Sequence, residues 1–203
     1  MKAALVIVRD DTQPEPAAGP PLDEVALVEA ARQGDRGAFG RLYERHAAMV
    51  HGLLLAQVPY AEVEDLAQDV FVLAMRKLSG LRDPAAFAPW LAAIARRRAA
   101  DRHRTREPRP DAAAADPVAG LVSDLPRQAR VEPAEVEARA ILALIHRLPL
   151  AYRETLVLRL VEGMTGPEIA ARTGLTPESV RVNLHRGMKK LREELARAEG
   201  ERP

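Results

Sequence analysis

Arg181, Val182, Asn183, His185 and Arg186 fall within one short run, followed by Lys189, Lys190 and Arg192. These are residue types that read DNA. Arginine pairs with guanine edges or phosphates, asparagine pairs bidentately with adenine, and a valine can touch a thymine methyl. Lysines further along hold the backbone. A second basic run spans 95–109, where seven arginines stand against Asp101 and Glu107. Between 62 and 69 the sign reverses: Glu62, Glu64, Asp65 and Asp69 lie there with no base. The net charge of +1 hides this separation, and patches of opposite sign imply different partners on different surfaces.

Enzyme chemistry finds little purchase. The histidines at 46, 51, 103, 146 and 185 belong to different elements and form no His-Glu-x-x-His pair. No glycine-rich phosphate loop and no serine elbow occurs. The absence of cysteine removes thiolate nucleophiles, thiolate metal sites and disulfides together. We therefore expect no catalysis, no metal and no cofactor.

The elements that must position these residues are helices. Of 203 residues, 47% are apolar and only 3% aromatic, so the core is built from Ala, Leu and Val. That composition favours helix over strand. Proline-rich residues 1–22 read as a flexible tail. Apolar stripes then predict helices over 24–33, 35–57 and 61–79, the last ended by Gly80. Asp83-Pro84 and Ala88-Pro89 read as two successive helix starts, the second launching a helix that runs into the arginine cluster. Residues 107–133 lose all helical period and read as a linker, spanning about 30 Å as a random chain and about 90 Å when straight. Helices are predicted again over 135–147 and 151–162. The expected fold is all-α, with two small helical domains, 23–106 and 134–198, joined by that linker. No apolar run approaches the roughly 20 residues that span a bilayer, and residues 3–8 are too short for the core of a signal peptide. A cytoplasmic protein without a membrane span is expected.

The strongest motif lies at 165–192. Thr165-Gly166-Pro167-Glu168 opens a short helix, Gly174 supplies a left-handed turn, and Thr176-Pro177-Glu178-Ser179 caps the next helix. With Val180, Leu184 and Leu191 turned inward, Arg181, Val182, Asn183, His185 and Arg186 face out. A second helix of that kind fits the DNA major groove.

Leu148-Pro149, Arg153 to Arg159, Glu162-Gly163-Met164-Thr165, Glu168-Ile169-Ala170, Ser179-Val180-Arg181 and Leu184-His185-Arg186-Gly187 together resemble the promoter-binding domain of the extracytoplasmic-function sigma factors, the initiation subunits of bacterial RNA polymerase. Glu64-Asp65-Leu66-Ala67-Gln68-Asp69-Val70-Phe71, then Trp90-Leu91 and Ile94-Ala95-Arg96, resemble their other domain. The resemblance implies that Asp65, Gln68, Asp69, Val72 and Met75 dock on the clamp helices of the largest polymerase subunit, with the flap as a further contact. An exposed Val and Met beside carboxylates suits such an interface. It implies that Trp90, Arg96, Arg97, Arg98, Asp101, Arg102 and Arg104 serve the minus-10 element and strand separation, the arginines projecting to phosphates. It places Thr176, Ser179, Arg181, Val182, Asn183, His185, Arg186, Lys189 and Lys190 on the minus-35 element. A cognate anti-sigma factor would be a further partner. Two departures stand out: Arg97 replaces the family's usual Asn, and Arg181-Val182-Asn183 replaces a common Arg-Ser-Arg. The rival reading is a helix-turn-helix regulator that acts without polymerase. Its usual sign, an apolar seam for dimerisation, is missing.

Overall fold

A computed structural model describes residues 23–106 and 133–200, so the tail at 1–22 and the linker at 107–132 lie outside the described residues. Eight α-helices occur among them: α1 (Glu24–Arg32), α2 (Arg36–Leu55), α3 (Tyr60–Lys77), α4 (Phe87–Arg106), α5 (Pro133–His146), α6 (Leu150–Leu160), α7 (Gly166–Thr173) and α8 (Pro177–Gly200).

Local chemistry sets the first boundaries. Asp23 accepts from the backbone N–H of Val25 to start α1, and Gly34, at φ +95°, ends the turn that follows it. Asp35 then accepts from the amides of Gly37 and Ala38, capping α2. Leu42, Met49, Val50 and Leu53 recur along the buried stripe of α2. Val63, Val70, Phe71 and Ala74 do the same for α3.

Two expectations about boundaries need correction. Gly80 is not a left-handed cap: α3 ends at Lys77 and tightens into a 3-10 turn over Leu78–Gly80, while the positive-φ glycines among the described residues are 34, 163 and 174. Nor is Ala88-Pro89 a separate start. Asp83 accepts from Ala85 N–H to cap a 3-10 turn over Pro84–Ala86, which passes directly into α4 at Phe87. Pro89 thus falls in the first turn of α4, where its missing N–H would have had no intrahelical partner in any case.

Helix α4 crosses α2 and α3 with Phe87, Leu91, Ala92, Ala95 and Ala99 buried. The alanines let the backbones approach closely, and each large apolar side chain fully buried contributes about 1.5–3 kcal/mol. Trp90 is half-buried, its ring 5.8 Å from that of Phe87. His46 is a core histidine, its Nε2 3.1 Å from Glu24 on α1. That hydrogen bond holds the Glu24 carboxyl below its ordinary pKa against the opposing effect of burial.

Among the C-terminal helices, α6 is central. Glu154 to Leu158 are buried consecutively because α2, α5, α7 and α8 all pack around it. Gly187 of α8 permits the closest approach: a Cβ there would meet Leu156 Cδ1 at 3.1 Å and Tyr152 Cβ at 3.2 Å. Ile145, Leu148, Ile169, Val180 and Leu191 complete this core.

The C-terminal helices rest on the N-terminal ones along a seam in which the buried apolar residues of both halves join one core and several polar ties cross. His51 Nδ1 lies 2.6 Å from Glu162 Oε1. His146 Nε2 donates to Leu55 O at 2.8 Å, and Arg172 donates to Arg45 O at 2.8 Å. Arg96 Nε donates to both oxygens of Glu154, at 3.1 and 3.0 Å, and its Nη1 donates to Thr173 O at 3.2 Å. Gly52 lies under α6, where a Cβ would come within 2.8 Å of Leu158 Cδ2 and Glu162 Cγ.

Candidate nucleic-acid interface

Helices α7 and α8 form a helix-turn-helix whose turn follows from three local devices. Thr165 accepts from Glu168 N–H at 3.4 Å while Glu168 accepts from Thr165 N–H at 2.7 Å, a reciprocal capping box. Those donated hydrogen bonds hold the Glu168 carboxyl below its ordinary pKa. Gly174 closes α7 at φ +75°, a conformation that a side chain would strain. Thr176 Oγ1 then accepts from Ser179 N–H at 3.1 Å, and Thr176 also donates to the Ser179 hydroxyl at 2.7 Å.

With Val180 and Leu191 anchored in the core, α8 leaves Arg181, His185, Arg186, Lys189 and Lys190 exposed. Val182 and Asn183 are half-buried, less open than the outward face expected for them. Thr176 and Ser179 are exposed, but both serve first as the helix cap.

The basic face of α4 is arranged differently from the expectation of arginines projecting freely. Arg97 is exposed and has no ion-pair partner among the described residues. Arg98 pairs with Asp69 at 2.6 Å and Arg102 with Glu62 at 2.6 Å, both across to α3. Arg104 pairs with Asp101 one turn back. Arg96 departs most: it is half-buried in the seam and held by Glu154, because its position on α4 faces α6 and α7 rather than solvent.

On α3, Asp65, Gln68 and Asp69 are exposed together with Val72 at 44% and Met75 at 52%. These five residues share one open face. Beside it runs a groove between α2 and α3, lined by Tyr43, Ala47, His51, Tyr60, Gln68 and Phe71 and reaching Glu162. Among the described residues, no cluster of His, Asp or Glu could hold a metal ion, and no helix is long and apolar enough to cross a membrane.

Sequence reasoning missed Glu154, Glu162, His51, Gly52 and Arg172 as functional candidates. Their partners lie between 58 and 127 residues away along the chain, so no local pattern marks them. Glu154 opens the run Glu154 to Leu158, which the structure buries throughout. A carboxylate at such a position needs a cationic partner.

A helix-turn-helix with a basic second helix, joined to a helical bundle with an open acidic-apolar face, defines the class of DNA-binding transcription proteins. Comparison with known proteins specifies it further. The family model "Sigma-70 region 2" matches residues 42–109, and "Sigma-70, region 4" matches 138–191. The RNA polymerase sigma factor NccH of Alcaligenes xylosoxydans xylosoxydans is 35% identical over 175 residues, covering 85% of this chain and 94% of that protein. The ECF RNA polymerase sigma-E factor of Escherichia coli K12 is 29% identical over 157 residues, covering 74% and 82%. The structure of CnrH in complex with the cytosolic domain of CnrY superposes with a TM-score of 0.59 at 28% identity, covering 85% of this chain and 97% of that one. The chain belongs to the sigma-70 family of RNA polymerase sigma factors, in its extracytoplasmic-function group. It is an initiation factor that directs RNA polymerase to promoters, and its partners are core polymerase and promoter DNA.

Proposed function

We propose a division of labour within that activity. Residues 23–106 dock core polymerase through the α3 face of Asp65, Gln68, Asp69, Val72 and Met75, taken to meet the clamp helices of the largest subunit. The same helices serve the minus-10 element and strand separation through α4, with Trp90, Arg97, Arg98, Asp101, Arg102 and Arg104 as the first contacts and Arg96 once released. Residues 134–198 read the minus-35 element through α8 and lie near the polymerase flap. The observation that carries this reading is the open α3 face, where Val72 and Met75 are half or nearly half exposed beside two carboxylates. Exposed apolar residues clustered in this way mark an interaction surface.

The protein acts without catalysis of its own, in the cytoplasm where polymerase and promoter are found. CnrH was solved with the cytosolic domain of CnrY, and by analogy a cognate anti-sigma factor is assigned to this chain. The test is a pull-down of core polymerase with Asp65→Lys/Asp69→Lys. Both side chains are exposed, so the fold should survive while core binding falls at least tenfold. Unchanged retention of core by the folded double variant removes α3 as the docking face.

A further inference from the structure

We propose that the groove between α2 and α3 is the seat of a segment of this same chain, residues 5–9, with Leu5, Val6, Ile7 and Val8 along its aromatic walls and Arg9 at its acidic end. Residues 3–8 (Ala-Ala-Leu-Val-Ile-Val) are six apolar residues in a row, within a stretch otherwise rich in proline and carboxylates. Contact with polymerase or promoter gives that run no use. The groove is its complement. It holds about 500 Å³, with Ala47, Ala61 and Ala67 as a floor of small side chains between the rings of Tyr43 and Tyr60. Those two rings are 45% and 57% exposed, and covering them with apolar side chains is favourable. Gln68 belongs both to the groove and to the open α3 face, so a seated segment flanks that face.

Length, charge and reach agree. At one end of the groove Tyr43 meets Phe71, their rings 4.5 Å apart. The other end is lined by His51, Glu162, Tyr60 and Glu64. Tyr43 and His51 are eight residues apart on α2, about 12 Å at 1.5 Å per residue. Four extended residues span about 13 Å, so residues 5–8 fill that length and bring Arg9 beside Glu64. Among the described residues lining the groove none is Lys or Arg, although the chain has 30 of them. Arg9 therefore meets carboxylates there and no like charge. The tether, residues 10–22, carries Pro14, Pro16, Pro20 and Pro21 and ends at Asp23. Glu24 Oε2 lies 3.1 Å from His46 Nε2 and 3.8 Å from Arg45 Nη1. The tether thus starts from the middle of α2, within one turn of Tyr43 and Ala47. Its 13 residues span about 20 Å as a random chain and about 45 Å when straight, against a helix about 10–12 Å across. A short flexible tether holds its cargo at about millimolar effective concentration, so even a weak fit is occupied.

The chain has no cysteine, so Asp11→Cys takes a single nitroxide label just outside the docking run. The assay is NMR of the full chain with isotope-labelled alanine methyls, recorded with the nitroxide oxidised and then reduced. The methyls of Ala47, Ala61 and Ala67 should lose half or more of their intensity in the oxidised sample. Adding Val6→Asp/Ile7→Asp should restore most of it, since label and tether are unchanged while the apolar run is lost. Both substitutions lie outside the described helices, and an unchanged far-ultraviolet spectrum verifies the fold. Equal broadening with and without the apolar run overturns the proposal and leaves the groove to a partner outside the chain. Ala48→Gln/Ala61→Gln gives a second arm, because both alanines are exposed and line the groove. It should relieve the broadening of Ala47 and Ala67, and full retention there overturns the groove as the seat. Mixing nitroxide-bearing chains without isotope and isotope-labelled chains without nitroxide tests a second copy. No broadening is expected in that mixture, and broadening of the groove alanines assigns the seat to a neighbour's segment and overturns docking within one chain.

Discussion

Gly187→Ala should destabilise the protein even though alanine is the better helix former, and Gly40→Ala should stabilise it. Both glycines are interior to helices, α8 and α2. Removing such a glycine contributes about 0.5–1 kcal/mol by itself, since glycine loses the most conformational freedom on folding. At Gly40 that gain stands alone, because the position is exposed and a Cβ would meet nothing within 4 Å. At Gly187 the new methyl would lie 3.1 and 3.2 Å from Leu156 Cδ1 and Cγ, and 3.2 Å from Tyr152 Cβ. Leu156 is fully buried and cannot swing aside. The Tyr152 Cβ is tied to the α6 backbone. The helices must therefore separate by a few tenths of an ångström along their contact. Overpacking of this kind costs about 1–3 kcal/mol, which outweighs the helix gain and leaves a net loss of about 1 kcal/mol. For a chain of 203 residues melting as one body the midpoint should fall about 2–4 °C per kcal/mol. Circular dichroism melts of the two variants beside the parent measure both signs. A Gly187→Ala protein as stabilised as Gly40→Ala would falsify the claim that α8 is pressed on α6 at that point.

Other outcomes follow from the same geometry. Asn183→Ala should relax preference at one base pair of the upstream element in a binding-site selection, at a cost of about 1–3 kcal/mol in discrimination. Lys189→Ala and Lys190→Ala should weaken binding to all sequences alike and flatten its salt dependence. Thr165→Ala removes one half of the capping box and should cost about 0.5–2 kcal/mol in a urea titration; no change would mean that Glu168 alone secures the start of α7. The hydrogen bond to Glu162 raises the His51 pKa above its ordinary 6.5, against the opposing effect of burial. A pKa raised in the paired state means that the contact is at full strength below pH 6.5 and is lost as pH rises through the raised value. Tyr43, Tyr60 and Glu64 line the same groove and are the other titratable groups there. In an NMR titration, Glu162→Gln should return His51 towards its ordinary value, and an unmoved titration curve contradicts the pairing.

What the amino-acid order announced, and what it concealed, divides along range. The stripe of α2, the αL turn at Gly174 and the cap at Thr176 are local matters, settled by neighbours within a turn or two, and each was legible. The join at Pro84 to Pro89 was misread because two prolines and two cap-like residues look like two starts. A single 3-10 turn running into α4 satisfies the same amides. The arginines of α4 were legible as a basic cluster but not as individuals. Which of them meets solvent depends on α3 and on α6, and the Glu154 that holds Arg96 is 58 residues distant. Charge identity is written in the chain; charge pairing is written in the packing.

The contact between Trp90 and Phe87 gives the molecule a reporter of its own. Trp90 is the single tryptophan of the chain, and it sits in α4 within the N-terminal helices. The C-terminal helices carry Tyr152 and no tryptophan. Indole emission excited at the red edge of its absorption therefore follows the N-terminal helices alone, while far-ultraviolet ellipticity follows both halves. Recorded on one sample, the two signals separate the melting of one half from that of the whole without any label. Coincident transitions would mark the halves as one cooperative body, and displaced ones would measure how weakly they are coupled.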